Sequence, residues 1–234
     1  MTGKQGSEAV SARGLFRAMG KASKPVAVRL LDGGIGTATA LEREAKDFYP
    51  TPAEPTRALL HAEGQRLRDF PLIWEAACGD GAMMREIEAA GHTVTGTDLI
   101  DRPRALGCAG LDVTIRDYFD ISEPPARAMV TNPPYNLINW ANGRGAWLEH
   151  GWETLRLDYM ALLLSWSWPG AAGLGSVWQR CPPARVYLMR WKIDFTGQGA
   201  PPMLNGWFVW DRAHEGETVL RMLDRVDGRQ GVLL

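Results

Sequence analysis

The chain has 234 residues, of which 45% are hydrophobic, so it is long enough for one α/β domain with a sizeable core. Its formal net charge is −1 at pH 7, which gives no general support for a nucleic-acid partner, and it lacks the run of about 18 apolar residues that a membrane span needs. The three cysteines, Cys78, Cys108 and Cys181, are dispersed, which favours neither a disulfide framework nor a zinc site and suits a reducing cytoplasm.

Residues 1–45 are rich in Gly, Ser, Ala, Lys and Arg, which predicts a flexible basic leader. Residues 1–20 lack the apolar centre of a signal peptide, and Pro25 interrupts a short helix that is otherwise compatible with residues 11–31. The basic residues of the leader can contact phosphates, although ordinary solvated charge explains them equally well.

Hydrophobic periodicity predicts one further domain, over residues 46–234. In its first half we expect helices and strands in alternation, at residues 56–67, 71–76, 82–90 and 93–97. In its second half we expect strands at residues 128–131, 159–166, 186–189 and 207–210, with helices at residues 139–157 and 173–179. This alternation predicts an α/β fold with a mostly parallel, doubly wound sheet that ends in an antiparallel pair.

A glycine loop follows the first strand of this domain, in the sequence Glu75-Ala-Ala-Cys-Gly-Asp-Gly81. Glycine lets the backbone approach a ligand closely, and the next helix offers free N–H groups. The loop lacks the third glycine of the dinucleotide fingerprint and the Gly-Lys-Ser/Thr ending of a phosphate loop, which disfavours pyrophosphate and triphosphate ligands. Asp98 ends the next strand, where doubly wound folds bind ribose hydroxyls.

A second acid, Asp117, is followed by Tyr118 in the loop expected after the third strand. Such an acid can accept a hydrogen bond from the amine of an adenine ring while an aromatic side chain packs on the face of the ring. Each signal is weak when taken singly, because a Gly-x-Gly loop is more often a plain turn and an isolated Asp more often caps a helix. Their order along the chain is what makes them informative.

The most informative residues are Asn132, Pro133, Pro134 and Tyr135, which follow a short apolar run. The Asn132 side chain and the Pro133 carbonyl can both accept hydrogen bonds from a planar exocyclic amine, and Tyr135 can stack on the ring that carries it. The two prolines fix φ and remove two N–H donors, so they hold a bend that regular structure does not allow. The tetrapeptide therefore indicates a site for a planar amide or a nucleobase amine.

This tetrapeptide resembles motif IV of the amino-methyltransferases that use S-adenosylmethionine (SAM). Most of residues 47–211 resembles the DNA adenine-N6 methyltransferases, particularly the short forms of phages and prophages. Residues 48–52 look like their motif X, residues 75–81 like motif I, Asp98 and Asp117 like the acids of motifs II and III, and residues 206–211 like their late strand.

The resemblance implies a Rossmann-like class I methyltransferase fold that binds SAM and needs no metal. It implies that the cofactor is bound by Phe48, Thr51, Pro52, Glu75, Ala77, Gly79, Gly81, Asp98, Asp117 and Tyr118. One departure from the family pattern is Ala77, where many relatives carry proline or a bulky residue, so the contacts to the cofactor adenine are expected to differ.

The resemblance also implies methyl transfer to N6 of an adenine that is flipped out of double-stranded DNA, with Asn132, Pro133, Pro134 and Tyr135 as the catalytic residues. The spacing of the motifs leaves no room for a separate target-recognition domain, so we expect a short or relaxed target site. The candidate elements for reading DNA are the loops at residues 136–145 and 192–205 and the basic leader, and Phe48 or Tyr118 is a candidate for a second stacking face.

Three alternatives remain open at this stage. Asn-Pro-Pro-Tyr also occurs in enzymes that methylate glutamine in release factors, but these carry an added N-terminal helical domain. An enzyme that methylates an amine of rRNA or tRNA is the better rival, since a small chain with a basic leader can read structured RNA by shape. A catalytically silent fold that binds nucleic acid is the third, and the sequence does not indicate the oligomeric state.

Overall fold

The computed structural model describes residues 26–29, 35–38, 50–102, 110–134, 138, 145–171, 174–195, 199 and 203–226. The chain divides into two units, Met1–Phe48 and Tyr49–Leu234. No helix in these described ranges is both long and apolar enough to cross a lipid bilayer.

Strands β1 (Val26–Arg29) and β2 (Ile35–Ala38) form an antiparallel hairpin in the first unit, in which Val26 pairs with Ala38. The helix considered for residues 11–31 is therefore wrong at residues 26–29. The β-branched side chains of Val26 and Val28 favour an extended backbone, which outweighs the helical periodicity of the segment. The remainder of the predicted leader lies outside the described residues.

The second unit contains the strands and helices that surround the candidate site. Its strands are β3 (Ile73–Glu75), β4 (Val94–Asp98), β5 (Val113–Ile115), β6 (Ala128–Thr131), β7 (Tyr159–Ser165), β8 (Arg185–Met189), β9 (Asn205–Asp211) and β10 (Val219–Leu223). Its helices are α1 (Ala53–Leu67), α2 (Ala82–Ala89), α3 (Ala146–Glu149) and α4 (Gly175–Arg180).

The eight strands of this unit form one sheet, in the order β10-β8-β9-β7-β6-β3-β4-β5. Among the described strands of this sheet, β9 alone is antiparallel to its neighbours, which are β7 and β8. The predicted α/β fold with a mostly parallel, doubly wound sheet is thus confirmed. The chain moves outward from β3 to β4 and β5 and then returns to β6 on the other side of β3. This reversal is the topological switch point, where the carboxyl ends of parallel strands leave a crevice for ligands.

Both faces of the sheet are buried, and β7 shows this most clearly. Its residues Tyr159, Ala161 and Leu163 join the cluster that contains the apolar side of α1 and α2, whereas Met160 and Leu162 join the cluster on the opposite face. Side chains of a strand alternate between faces, so a strand that is covered on both sides is apolar throughout. This burial fixes the position of the loops at the carboxyl end of each strand.

Two elements differ from the sequence-based prediction. The helix predicted for residues 139–157 is, in its described part, the short helix α3 followed by a π-helical turn, His150–Thr154. Strand β10 was not predicted, because four of its five residues are exposed and only Leu223 is buried. An edge strand of this kind lacks the apolar pattern by which strands are recognised.

Candidate functional site

The acids and the asparagine singled out by the sequence lie on the carboxyl edge of four neighbouring strands. Glu75 ends β3, Asp98 ends β4, Asp117 follows β5 and Asn132 follows β6. Because these strands are parallel, the same edge of the sheet carries all four residues. The edge includes the switch point between β3 and β6.

The glycine loop between β3 and α2 is shaped by left-handed backbone conformations. Gly79 has φ 57° and Gly81 has φ 79°, and Gly81 is also the N-cap residue of α2. A Cβ atom at Gly81 would lie 2.0 Å from Cδ1 of Leu111. The Cys78 N–H donates to the Thr97 carbonyl at 3.0 Å, which ties the loop to β4. Glycine is therefore required at Gly81 by conformation and by space.

Asp98 is held beneath this loop by three hydrogen bonds. Its Oδ2 accepts from the Gly79 N–H at 2.8 Å, and its Oδ1 accepts from the Ile100 N–H at 3.0 Å and from Nη1 of Arg102 at 2.8 Å. A carboxylate offers about four lone-pair sites, so Oδ2 retains capacity for a ligand hydroxyl. Sequence reasoning missed Arg102, which is four residues further on and whose charge offsets that of Asp98.

Glu75 is buried at the switch point and joins β3 to β6. The Thr131 hydroxyl donates to its Oε1 at 2.7 Å. Burial raises the pKa of Glu75 to about 8, and the nearby charge of Asp98 adds to this rise, whereas the hydrogen bond from Thr131 opposes it. At neutral pH the free protein therefore holds this carboxyl largely in its uncharged form. Sequence reasoning also missed Thr131, a polar residue at the end of an otherwise apolar strand.

Asn132 carries the most distinctive feature of this edge. Its Nδ2 donates to Oγ1 of Thr51 at 3.1 Å, whereas its Oδ1 is buried and has no hydrogen-bond partner within the described part of the chain. Pro133 is buried beside it. A buried acceptor without a donor costs about 1–3 kcal/mol, and a water molecule or a ligand with an N–H or O–H group would offset this cost. Tyr135 and Phe48, both predicted for the site, lie outside the described residues.

The segment after β5 differs from its expected role. Asp117 accepts from the Phe119 N–H at 2.9 Å and so caps a 3-10 turn, Tyr118–Asp120. Tyr118 is 3% exposed, stacks on Trp147 with ring centroids 3.8 Å apart, and donates its hydroxyl hydrogen to the Trp147 carbonyl at 3.0 Å. Its ring therefore presents no open face, and stacking on a ligand would need a conformation other than the observed one. Phe119, which is only partly buried, is the accessible aromatic side chain there.

A network of buried charges lies on the opposite edge of the sheet and was not predicted. Arg185, at the start of β8, donates to both carboxylate oxygens of Glu63 at 2.7 Å and to Asp211 at 2.8 Å. Arg66 also donates to Asp211, and the Tyr187 hydroxyl donates to Glu63. Two carboxylates thus face two guanidinium groups, which satisfies the requirement that buried charges be paired. The network connects α1 to β8 and β9 and serves the fold.

A cavity of about 700 Å³ lies beside this network, and Trp152, Pro183, Arg212 and Thr218 are among the residues that line it. The guanidinium group of Arg212 is already engaged, because it stacks 4.1 Å from the centroid of Trp152 and donates to the Trp152 carbonyl at 2.6 Å. This cavity therefore lies on the opposite edge of the sheet from Glu75, Asp98 and Asn132. The hydrogen-bonding groups at the switch point are the better guide to function.

No family model and no curated protein matches the sequence. Among solved structures, a putative RNA methyltransferase from Pyrococcus horikoshii is 13% identical, with a TM-score of 0.48 over 69% of this chain and 85% of that one. A modification subunit of a putative type I restriction enzyme from Vibrio vulnificus is 12% identical, with a TM-score of 0.49 over 81% of this chain and 50% of that one.

Human N-acetylserotonin methyltransferase, whose structure is a complex with SAM, is 22% identical, with a TM-score of 0.38 over 46% of this chain. The chain spans 33% of the length of that human enzyme. At these levels of similarity, the residues at the carboxyl edge, rather than the neighbours, must carry any functional conclusion.

Proposed function

We propose that the protein transfers a methyl group from SAM to a planar exocyclic amine, and that this amine is N6 of an adenine flipped out of DNA. The observation that carries the proposal is the Oδ1 atom of Asn132, which is buried at the switch point without a donor among the described residues. An amine N–H would complete this acceptor. The Pro133 carbonyl is the candidate acceptor for the second N–H of the same amine.

The residues of the glycine loop fit SAM as the cofactor. Asp98 can accept a hydrogen bond from a ribose hydroxyl, and the left-handed glycines Gly79 and Gly81 bring backbone close to a ligand. Glu75, uncharged in the free protein, would ionise beside the cationic groups of this cofactor. Thr51, Pro52, Ala77 and Asp117 are proposed to complete the pocket, and Phe48 is a further candidate from the sequence. When bound, SAM supplies an electrophilic methyl group on a sulfonium centre.

The contribution of the chain to the reaction is positioning. Adenine N6 is a poor nucleophile because its lone pair is delocalised into the ring. Two acceptors, Asn132 Oδ1 and the Pro133 carbonyl, would favour a more tetrahedral nitrogen whose lone pair faces the methyl group. The amine keeps one hydrogen and releases the other to solvent as a proton, so no covalent bond to the protein is needed. Tyr135 is proposed to stack on the flipped base, which offsets part of the cost of leaving the duplex.

DNA is favoured over RNA by the order of the motifs, which matches the short adenine methyltransferases from residue 48 to residue 211. The basic leader at residues 1–45 and the loops at residues 136–145 and 192–205 are the proposed contacts to DNA. Residues 46–234 are proposed to be one methyltransferase domain without a target-recognition domain, so its target site would be short or relaxed.

The test is to incubate the purified protein with SAM and either unmethylated DNA or total RNA, digest the product to nucleosides, and measure N6-methyladenine by mass. We expect methylation of DNA in many sequence contexts, reduced by about 100-fold or more in Asn132→Ala. Gln179→Ala, which removes an exposed amide on α4, is the matched control and should retain activity. Product on RNA alone would contradict the DNA substrate. Absence of product on both, with SAM bound, would indicate a catalytically silent fold.

A further inference from the structure

The hydroxyl group of Thr51, just before helix α1, forms a hydrogen bond with a residue far away in the sequence. Helix α1 begins at Ala53, and its N-cap, Pro52, makes no side-chain capping bond. A threonine at the N-cap commonly accepts a hydrogen bond from the first helical N–H groups, but Thr51 lies one residue before the N-cap. Here Oγ1 of Thr51 instead accepts from Nδ2 of Asn132 at 3.1 Å, across 81 residues of sequence. The segment before α1 is therefore attached to the side chain at the end of β6.

In this contact the donor end of the Asn132 amide is turned to Thr51, and the acceptor end is turned away from it. An amide side chain has a donor at one end and an acceptor at the other, and the two ends exchange when the group rotates by half a turn. With Nδ2 held by Thr51, the other end of the amide is the buried Oδ1 that meets no donor in the described ranges. The opposite orientation would present two N–H donors to the N–H donors of an incoming amine. Such an orientation cannot bind an amine productively.

We infer that Thr51 is a positioning residue for Asn132, and that its hydroxyl holds the amide with Oδ1 directed at the substrate amine. The inference rests on the proposed function, because the proposed reaction is what requires an acceptor at Asn132. It assigns to Thr51 an effect on the amine in addition to any contact with the cofactor. The two effects are separable, since a group that binds only the cofactor changes the cofactor affinity, whereas one that orients Asn132 changes the rate at saturation.

The kinetic test compares Thr51→Val, which removes the hydroxyl at nearly constant volume, with Thr51→Ser, which keeps it. We expect Thr51→Val to lower kcat about tenfold at saturating cofactor and DNA, which corresponds to one hydrogen bond of ordinary strength. Thr51→Ser should recover most of this loss. The affinity for S-adenosylhomocysteine, measured by calorimetry, reports separately on any contact that Thr51 makes with the cofactor. In the double variant with Asn132→Ala, the valine should cause no further loss, because the group that it orients is absent.

A second test does not depend on activity. The side-chain NH2 resonances of Asn132 can be identified in a ¹H–¹⁵N spectrum by their absence in Asn132→Ala. We expect them to shift and to exchange faster with solvent in Thr51→Val, and to remain close to the wild-type position in Thr51→Ser. Unchanged resonances in Thr51→Val would refute the contact.

The kinetic outcomes separate this inference from the proposed function. An active wild-type enzyme whose kcat is insensitive to Thr51→Val would refute the inference alone, as would a tenfold further loss in the double variant. A loss of S-adenosylhomocysteine affinity with unchanged kcat would make Thr51 a cofactor ligand only. A wild-type protein without activity on any nucleic acid would refute the proposed function and with it the catalytic part of the inference.

Discussion

Replacement of Glu75 by glutamine is expected to remove a dependence of stability on pH. Glu75 is 2% exposed, and burial raises its pKa from the ordinary value of 4.5 to about 8. Glutamine has nearly the same shape and keeps an oxygen that can accept from the Thr131 hydroxyl. The variant therefore resembles the uncharged form of Glu75 and cannot ionise.

The sign of this pH dependence follows from the number of protons bound to the folded and to the unfolded protein. Between pH 4.5 and 8 the folded protein holds the Glu75 proton, whereas the unfolded chain has released it. The free energy of unfolding must then fall as the pH rises through this window, and it stops falling once the folded protein also releases the proton. The difference between the two pKa values, at about 1.4 kcal/mol per unit, gives an upper limit of about 5 kcal/mol.

The assay is urea unfolding at pH 5.5, 7.0 and 8.5, followed by the fluorescence of the ten tryptophans. At pH 5.5 the variant should be the more stable by only about 1–1.5 kcal/mol, because the pH is then about one unit above the pKa of Glu75 in the unfolded chain. At pH 8.5 the variant should be the more stable by several kcal/mol. A difference that stays constant from pH 5.5 to 8.5 would refute the raised pKa. A variant that loses stability relative to wild type as the pH rises would show that the charged form is the one stabilised by folding.

Two further predictions concern the glycine loop and the buried charges. Gly81→Ala should lower the free energy of unfolding by about 1–2 kcal/mol through backbone strain. It should also weaken S-adenosylhomocysteine binding by more than about tenfold, because Leu111 must move to admit the new methyl group; calorimetry measures both. Arg185→Met should lower the free energy of unfolding by about 3–5 kcal/mol, because it leaves the buried carboxylate of Glu63 without its guanidinium partner; urea unfolding measures this loss.

Each of these variants has a matched control in the chain. Gly91 also has a left-handed backbone, φ 88°, but a Cβ atom added there would meet no described atom within 4 Å, so Gly91→Ala reports the strain alone. Equal binding losses for the two glycine variants would contradict a specific role for the loop. Arg127 pairs with Asp158 at the surface, and Arg127→Met should cost less than about 1 kcal/mol. If Arg185→Met costs no more than this control, the buried network does not stabilise the fold.

The features that could be predicted from the sequence are those set by neighbouring residues. The strand ends were found because Asp98 and Asn132 directly follow the strands predicted at residues 93–97 and 128–131, and parallel strands then bring such ends to one edge. The turn at Gly81 was likewise local, since glycine readily adopts the positive φ that this turn between a strand and a helix requires. For such residues the fold class alone was enough to predict a shared site.

The features that were missed depend on residues far apart in sequence. Tyr118 follows an acid, as a ligand-stacking residue would, yet it packs on Trp147, which is 29 residues further on. Glu63 looked like an ordinary helical acid, and its partner Arg185 is 122 residues away. No local pattern distinguishes a buried charge from a solvated one until the fold supplies the opposite charge. Sequence reasoning therefore predicted where chemical groups lie better than what they touch.

The end of β6 connects the two parts of the proposed site, which are the cofactor site and the amine site. The Thr131 hydroxyl donates to the Glu75 carboxyl, and the next residue, Asn132, carries the buried Oδ1 atom that is proposed to accept from the amine. Successive side chains in an extended backbone point to opposite sides, so two adjacent residues can serve two neighbouring ligands. The Thr51 hydroxyl, which lies outside the sheet, accepts a hydrogen bond from Asn132, the second of these two residues. A methyl donor and a methyl acceptor must meet within about 3.5 Å, so the proposed reaction needs its cofactor and its amine to bind close together, as adjacent positions at one strand end would favour.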